Sequence, residues 1–102
     1  MSAINLTNEN FDSVFESDKK VLIDFYADWC GPCRIVTPLV DQIADENPQY
    51  FVCKVNVTEQ PAITEHFGVG SIPTIIIMKN GEVLNKSVGA RSKLQILSMF
   101  ED

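Results

Sequence analysis

Basic residues are in short supply. Lys and Arg total 8 against 14 Asp and Glu, a net charge of −6 over 102 residues. That balance argues against a general nucleic-acid binder or a protein held on anionic lipid, because phosphate attraction needs a basic face. Long apolar runs are missing too. None approaches the roughly 20 residues that span a bilayer, so no membrane partner is expected. The opening Met1-Ser2-Ala3-Ile4-Asn5 has neither a basic flank nor an apolar core. No signal peptide is expected there, and the expected location is the cytoplasm. Three cysteines, an odd number, make a poor disulfide framework for a secreted domain. No glycine-rich phosphate loop is present, so no bound cofactor is expected. The length suits one domain, residues 1–102, around one core.

What the chain does have is Trp29-Cys30-Gly31-Pro32-Cys33. Two thiols two residues apart, between an apolar run and an amphipathic segment, point to dithiol–disulfide chemistry. Helical spacing puts such a pair about 5 Å apart at Cα, within disulfide reach. The ring is so small that closing it restrains the unfolded chain little, so the pair is a poor staple and a good redox switch. Cys30 falls at a helix N-terminus, where unpaired N–H groups and the helix dipole favour a thiolate. Cys33 lies one turn in, on the side of Val36 and Val40. Cys30 is therefore expected to be the exposed attacking sulfur and Cys33 the shielded resolving one.

Residues 3–6 read as a short strand. Thr7 reads as an N-cap, and Phe11, Val14 and Phe15 at helical spacing predict a helix over residues 8–17. Residues 21–27 are apolar on both faces apart from Asp24, as in a central strand covered on both sides. A helix follows over residues 32–46, with Val36, Leu39, Val40, Ile43 and Ala44 as its buried stripe and a kink expected at Pro38. Residues 51–57 alternate, with Phe51, Cys53, Val55 and Val57 on one face. Thr58 reads as the cap of a short helix ended by Gly68. Residues 74–78 form a strand, Asn80-Gly81 a hairpin turn, and residues 82–88 the strand after it. Ser92-Lys93-Leu94-Gln95 matches a capping box before a last helix. The order is β-α-β-α-β-α-β-β-α, an α/β fold: a five-stranded mixed sheet with helices on both faces.

Asp24 is the second informative residue. An acid among Leu22, Ile23, Phe25 and Tyr26 is expected to be buried, with its pKa raised by desolvation. Placed just before the thiols, it can accept the Cys33 proton. It can also be a structural acid paired with Lys54 on the neighbouring strand. A zinc set of Cys30, Cys33, Cys53 and His66 is nominally available. Against it, Cys53 alternates with core residues and His66 lies on a helix beside Phe67, so no metal is expected. Cys53 reads as core packing.

These residues resemble the thioredoxin family. The likeness rests on the run 21–27, on Trp29-Cys30-Gly31-Pro32-Cys33, Pro38, Ser71-Ile72-Pro73-Thr74, Lys79-Asn80-Gly81 and Val88-Gly89-Ala90. Together they span nearly the whole chain. The resemblance implies a thioredoxin fold with strand order 1-3-2-4-5 and four flanking helices. It implies a cis peptide between Ile72 and Pro73. It also implies a substrate-docking surface of Trp29, Gly31, Pro32, Ile72, Pro73, Val88, Gly89 and Ala90. Tyr26, Arg34 and Thr58 depart from the commonest family pattern and bear on partner choice. Oxidising relatives often carry a histidine between the cysteines, and Gly31-Pro32 in its place favours a reductant.

The function expected is that of a general protein-disulfide reductase, in which Cys30 attacks, Cys33 resolves and Asp24 accepts a proton. It serves cell redox homeostasis and gives electrons to reductive enzymes. The resemblance implies re-reduction of the Cys30–Cys33 disulfide by a thioredoxin reductase, a flavoprotein drawing on NADPH. A monomer acting on disulfide-containing protein substrates is expected. An oxidase or isomerase, and a non-catalytic binding module, are the rival classes.

Overall fold

The computed structural model describes residues 3–101. In chain order it has β1 (Ile4–Asn5), α1 (Ser13–Glu16), β2 (Val21–Tyr26), α2 (Cys33–Glu46), β3 (Phe51–Asn56), α3 (Pro61–His66), β4 (Thr74–Lys79), β5 (Glu82–Val88) and α4 (Lys93–Ser98). The strands form one mixed sheet in the order β1-β3-β2-β4-β5. β1 and β2 run parallel to β3, and β4 runs antiparallel to β2 and β5. Order, class and number of elements agree with the expectation.

The continuous apolar run of β2 puts it in the middle, since both of its faces must be covered. Side-chain alternation then divides the core. Leu22 joins Val52, Ile75 and Ile77 beneath Val36, Val40 and Ile43 of α2 and Ile96 of α4. Val21, Ile23 and Phe25 join Cys53, Val55, Ile76 and Met78 on the other face, with Val14 of α1 and Ile63 of α3. By the same alternation Asp24 and Lys54 belong to the α2 face.

Local chemistry sets the element ends. Asn80 and Gly81 both take positive φ, 52° and 80°, as a tight hairpin requires. The Ser92 hydroxyl accepts from Gln95 N at 3.1 Å and the Gln95 side chain accepts from Ser92 N at 2.9 Å, so the capping box is complete. α2 runs on through Pro38 to Glu46.

Several ends differ from the sequence reading by one residue, and three elements differ by more. The helix expected over residues 8–17 is reduced to Ser13–Glu16 behind a series of turns. Asn10 is the reason: its side chain accepts from Thr7 N at 2.7 Å and donates to Asn5 O at 3.0 Å, closing a turn that competes with the helix. β1 is also shorter than expected, although Leu6 N still donates to Lys54 O at 2.9 Å. α3 starts at Pro61, not behind Thr58. Asn56 Oδ1 takes Thr58 N at 3.0 Å and Glu59 N at 3.4 Å, and proline at the first helical position sets the start.

Candidate active site

β2 ends at Tyr26, and the chain turns through Ala27–Pro32 into α2. Cys30 N donates to Ala27 O at 3.2 Å and Arg34 N to Gly31 O at 3.0 Å, so the turn is held from both ends. Cys30 and Cys33 form a disulfide with Cα atoms 5.3 Å apart. Cys33 N also donates to Cys30 Sγ at 3.2 Å. That contact is the helix-terminus effect at one atom: a backbone donor aimed at a sulfur, where it favours negative charge.

Ala27 packs with both cysteines, and Tyr26, Val57 and Ile72 close around them. Cys30 is 5% exposed and Cys33 2%. The expected contrast, exposed against shielded, is absent from the disulfide form. Both sulfurs sit under the same apolar ring, and the backbone donor distinguishes them better than exposure does.

On β2, six residues before Cys30, lies Asp24, fully buried. Burial pushes its pKa from 3.8 up to about 7, against the lowering effects of the Thr37 hydrogen bond and of Lys54. Thr37 Oγ1 donates to Asp24 Oδ2 at 2.8 Å. Asp24 Oδ1 has no hydrogen-bond partner among the described residues. Lys54 lies level with Asp24 in the paired strands, yet its ammonium bonds Asp41 at 3.4 Å. The expected direct pair between Asp24 and Lys54 is therefore replaced by a through-space influence.

Thr37 and Asp41 escaped the sequence reading. A signal was there: Cys33, Thr37 and Asp41 recur at i, i+4 and i+8, a polar line beside the apolar stripe of α2.

The residues expected at a docking surface come from three stretches of the chain: 29–32, 72–73 and 88–90. The Ile72–Pro73 peptide is cis, and Pro73 O accepts from Gly89 N at 2.8 Å. This bond ties the loop before β4 to the end of β5, where Thr74 and Val88 are register partners. Val88 and Ala90 are exposed. Gly89 has φ +98°, a conformation that a residue with Cβ rarely holds. Gly31 and Pro32 are exposed beside the cysteines. Trp29 is 71% exposed, and its indole Nε1 donates to Thr58 Oγ1 at 3.4 Å. Trp29, Val57 and Ile72 line one side of a cleft of about 230 Å³ completed by Thr64, Val69, Gly70 and Ser71.

The nominal zinc ligands do not converge. Cys53 is buried on the opposite face of the sheet, and its thiol donates to Leu22 O at 3.3 Å. His66 stands edge-on to Phe11, Phe15 and Phe67. Among the described residues no group of His, Cys, Asp and Glu is arranged to hold a metal ion. No helix among them is long and apolar enough to cross a membrane.

The thioredoxin family model matches residues 2–102. The chain belongs to the thioredoxin family. Its thioredoxin relatives include one from Rickettsia felis, 43% identical over 93% of this chain and 92% of the relative. A second, from Chlorobaculum thiosulfatiphilum, is 41% identical over 94% and 91%. A third, from Alicyclobacillus acidocaldarius, is 38% identical over 99% and 97%. Among solved structures, the chain superposes with a TM-score of 0.86 on one from work on thiol resolution in yeast mitochondrial 1-Cys peroxiredoxin through the glutathione and thioredoxin systems. That chain is 30% identical, with 98% of this chain and 95% of the other covered. As a thioredoxin-family protein the chain is a protein-disulfide oxidoreductase, and Cys30 and Cys33 are its redox-active pair.

Proposed function

We propose that this chain is a general protein-disulfide reductase, acting as a single-domain monomer in the cytoplasm. The observation that carries the reading is a disulfide at the turn into α2, with a buried carboxyl bonded to the same helix through Thr37. In the reduced form Cys30 is the thiolate, favoured by the Cys33 N–H. It attacks one sulfur of a substrate disulfide. That S–S bond breaks, a mixed disulfide forms, and the first substrate sulfur leaves as thiolate. Cys33 then gives its proton to Asp24, and its thiolate attacks Cys30 Sγ. The mixed disulfide breaks and the second substrate sulfur leaves. The substrate has gained two electrons and, with solvent, two protons.

The supporting parts follow from their positions. Trp29, Ile72, Val88, Gly89 and Ala90 form the surface on which a substrate chain lies, with Gly31 and Pro32 in its floor and Pro73 as the wall. Lys54 acts on Asp24 through space. No cofactor is bound. A thioredoxin reductase, a flavoprotein using NADPH, returns two electrons to Cys30–Cys33, and the chain passes them to reductive enzymes in maintaining cell redox balance.

Insulin-disulfide reduction tests this, driven once by dithiothreitol and once by NADPH with a thioredoxin reductase. Turnover in both is expected. No turnover with dithiothreitol sinks the reductase; turnover there alone assigns a different electron donor.

A further inference from the structure

α2 carries a hydroxyl where its own backbone offers it an easy partner. In a helix a threonine hydroxyl commonly bonds back to the carbonyl four residues earlier, which for Thr37 is that of Cys33. Here the bond crosses from helix to sheet and reaches Asp24 Oδ2 at 2.8 Å. The other oxygen, Oδ1, is buried and has no partner among the described residues. Thr37 and Cys33 also line the same cavity of about 320 Å³, with Tyr26, Arg34 and Pro38.

We propose that Thr37 is a positioning residue for the exchange: its hydroxyl holds one oxygen of Asp24 and leaves the other to take the Cys33 proton. A proton arriving on Oδ2 shares that oxygen with the Thr37 hydrogen bond and weakens it, whereas Oδ1 carries no bond to be weakened. The bond also favours the ionised carboxylate, the form able to accept. Thr37 thus acts in two ways on one acceptor: it selects the oxygen and keeps the base deprotonated at lower pH than burial alone allows. The other groups bearing on Asp24 are Lys54 from β3, which favours the anion, and Asp41 from α2, which opposes it; Tyr26 also feels the Asp24 charge. β4 sets the apolar Ile75 opposite it. This role holds only if Asp24 takes the Cys33 proton, as proposed above.

The test compares Thr37→Val, which keeps the shape and removes the hydroxyl, with Thr37→Ser, which restores a hydroxyl. Two quantities are read in the reduced, full-length protein and its mixed disulfide. One is the Asp24 carboxyl titration by carbon NMR; the other is the pH profile of mixed-disulfide release. In Thr37→Val both midpoints move up together by about one pH unit, which slows release about fivefold near pH 7 and leaves it unchanged well above both midpoints. Thr37→Ser brings both back. A Thr37→Val midpoint and profile equal to those of the wild type overturn the role of Thr37, as does a Ser variant that behaves like Val. Asp24→Asn separates the two ideas. If it releases substrate as fast as the wild type, the acceptor reading falls and the Thr37 role with it. If it is slow while Thr37→Val is normal, only the Thr37 role falls.

Discussion

Lys54 stands level with Asp24 in neighbouring strands, on the same face of the sheet, and the two are not bonded to each other. The ammonium goes to Asp41, and the buried carboxyl takes a hydroxyl from Thr37 instead. The Asp24 carboxyl and the Lys54 cation are thus coupled by field and not by contact. Each can be altered without directly unpairing the other.

Replacing Lys54 by methionine removes a charge that lowers the Asp24 pKa. Its midpoint is expected to rise further above about 7, read by the same carboxyl titration. The lost ion pair with Asp41 is partly exposed, so urea unfolding is expected to show a cost of no more than about 1 kcal/mol.

Stability should fall as pH rises through neutrality. Asp24 is raised from 3.8 to about 7, so between those values the folded chain binds more protons than the unfolded one. The penalty is absent below the lower value and complete above the upper one. It amounts to about 4 kcal/mol in full, of which about 2–3 kcal/mol accrues between pH 5 and pH 8. Asp24→Asn lacks that component. Urea unfolding of the variant and the wild type at the two pH values measures it, and parallel pH curves would refute it.

Cys53 is fully buried, and desolvation lifts its thiol well above the ordinary cysteine range. In the reduced native protein an alkylating reagent is expected to label Cys30 and to spare Cys53 until the chain unfolds. Cys53→Ala should leave disulfide exchange intact while costing about 1–2 kcal/mol for the atoms removed from the core.

Trp29 is mostly exposed and makes one long side-chain hydrogen bond, to Thr58. Trp29→Ala is expected to change stability by less than about 1 kcal/mol. It should raise KM for a protein disulfide severalfold, with a smaller effect on a small-molecule disulfide that does not use the surface. An equal loss on both substrates would argue against docking.

The fold was legible because its strongest signals are local and redundant. The apolar run of β2, the alternation around Cys53 and the Asn80-Gly81 turn each admit one arrangement. The misplaced boundaries are those where a side chain competes with the backbone. Asn10 unmakes the first turns of the expected helix, and Asn56 delays α3 to Pro61. In the site, the cysteines and Asp24 stood out by spacing and by the oddity of an acid in an apolar run. The partners of Asp24 did not. Which donor reaches a buried oxygen depends on how α2 sits across β2, a relation between segments that periodicity does not encode. The burial of Cys30 was missed for the same reason, since Ile72 and Val57 reach it from distant loops and strands.

The two cysteines have their Cα atoms 5.3 Å apart, a separation that the tight turn leading into α2 supplies without help from the bond. Storing or releasing two electrons therefore asks almost nothing of the backbone. A partner that must tell a charged carrier from a spent one gains little from the backbone of this turn. What changes most is the patch over two sulfur atoms, and the readout of redox state falls to whatever touches it.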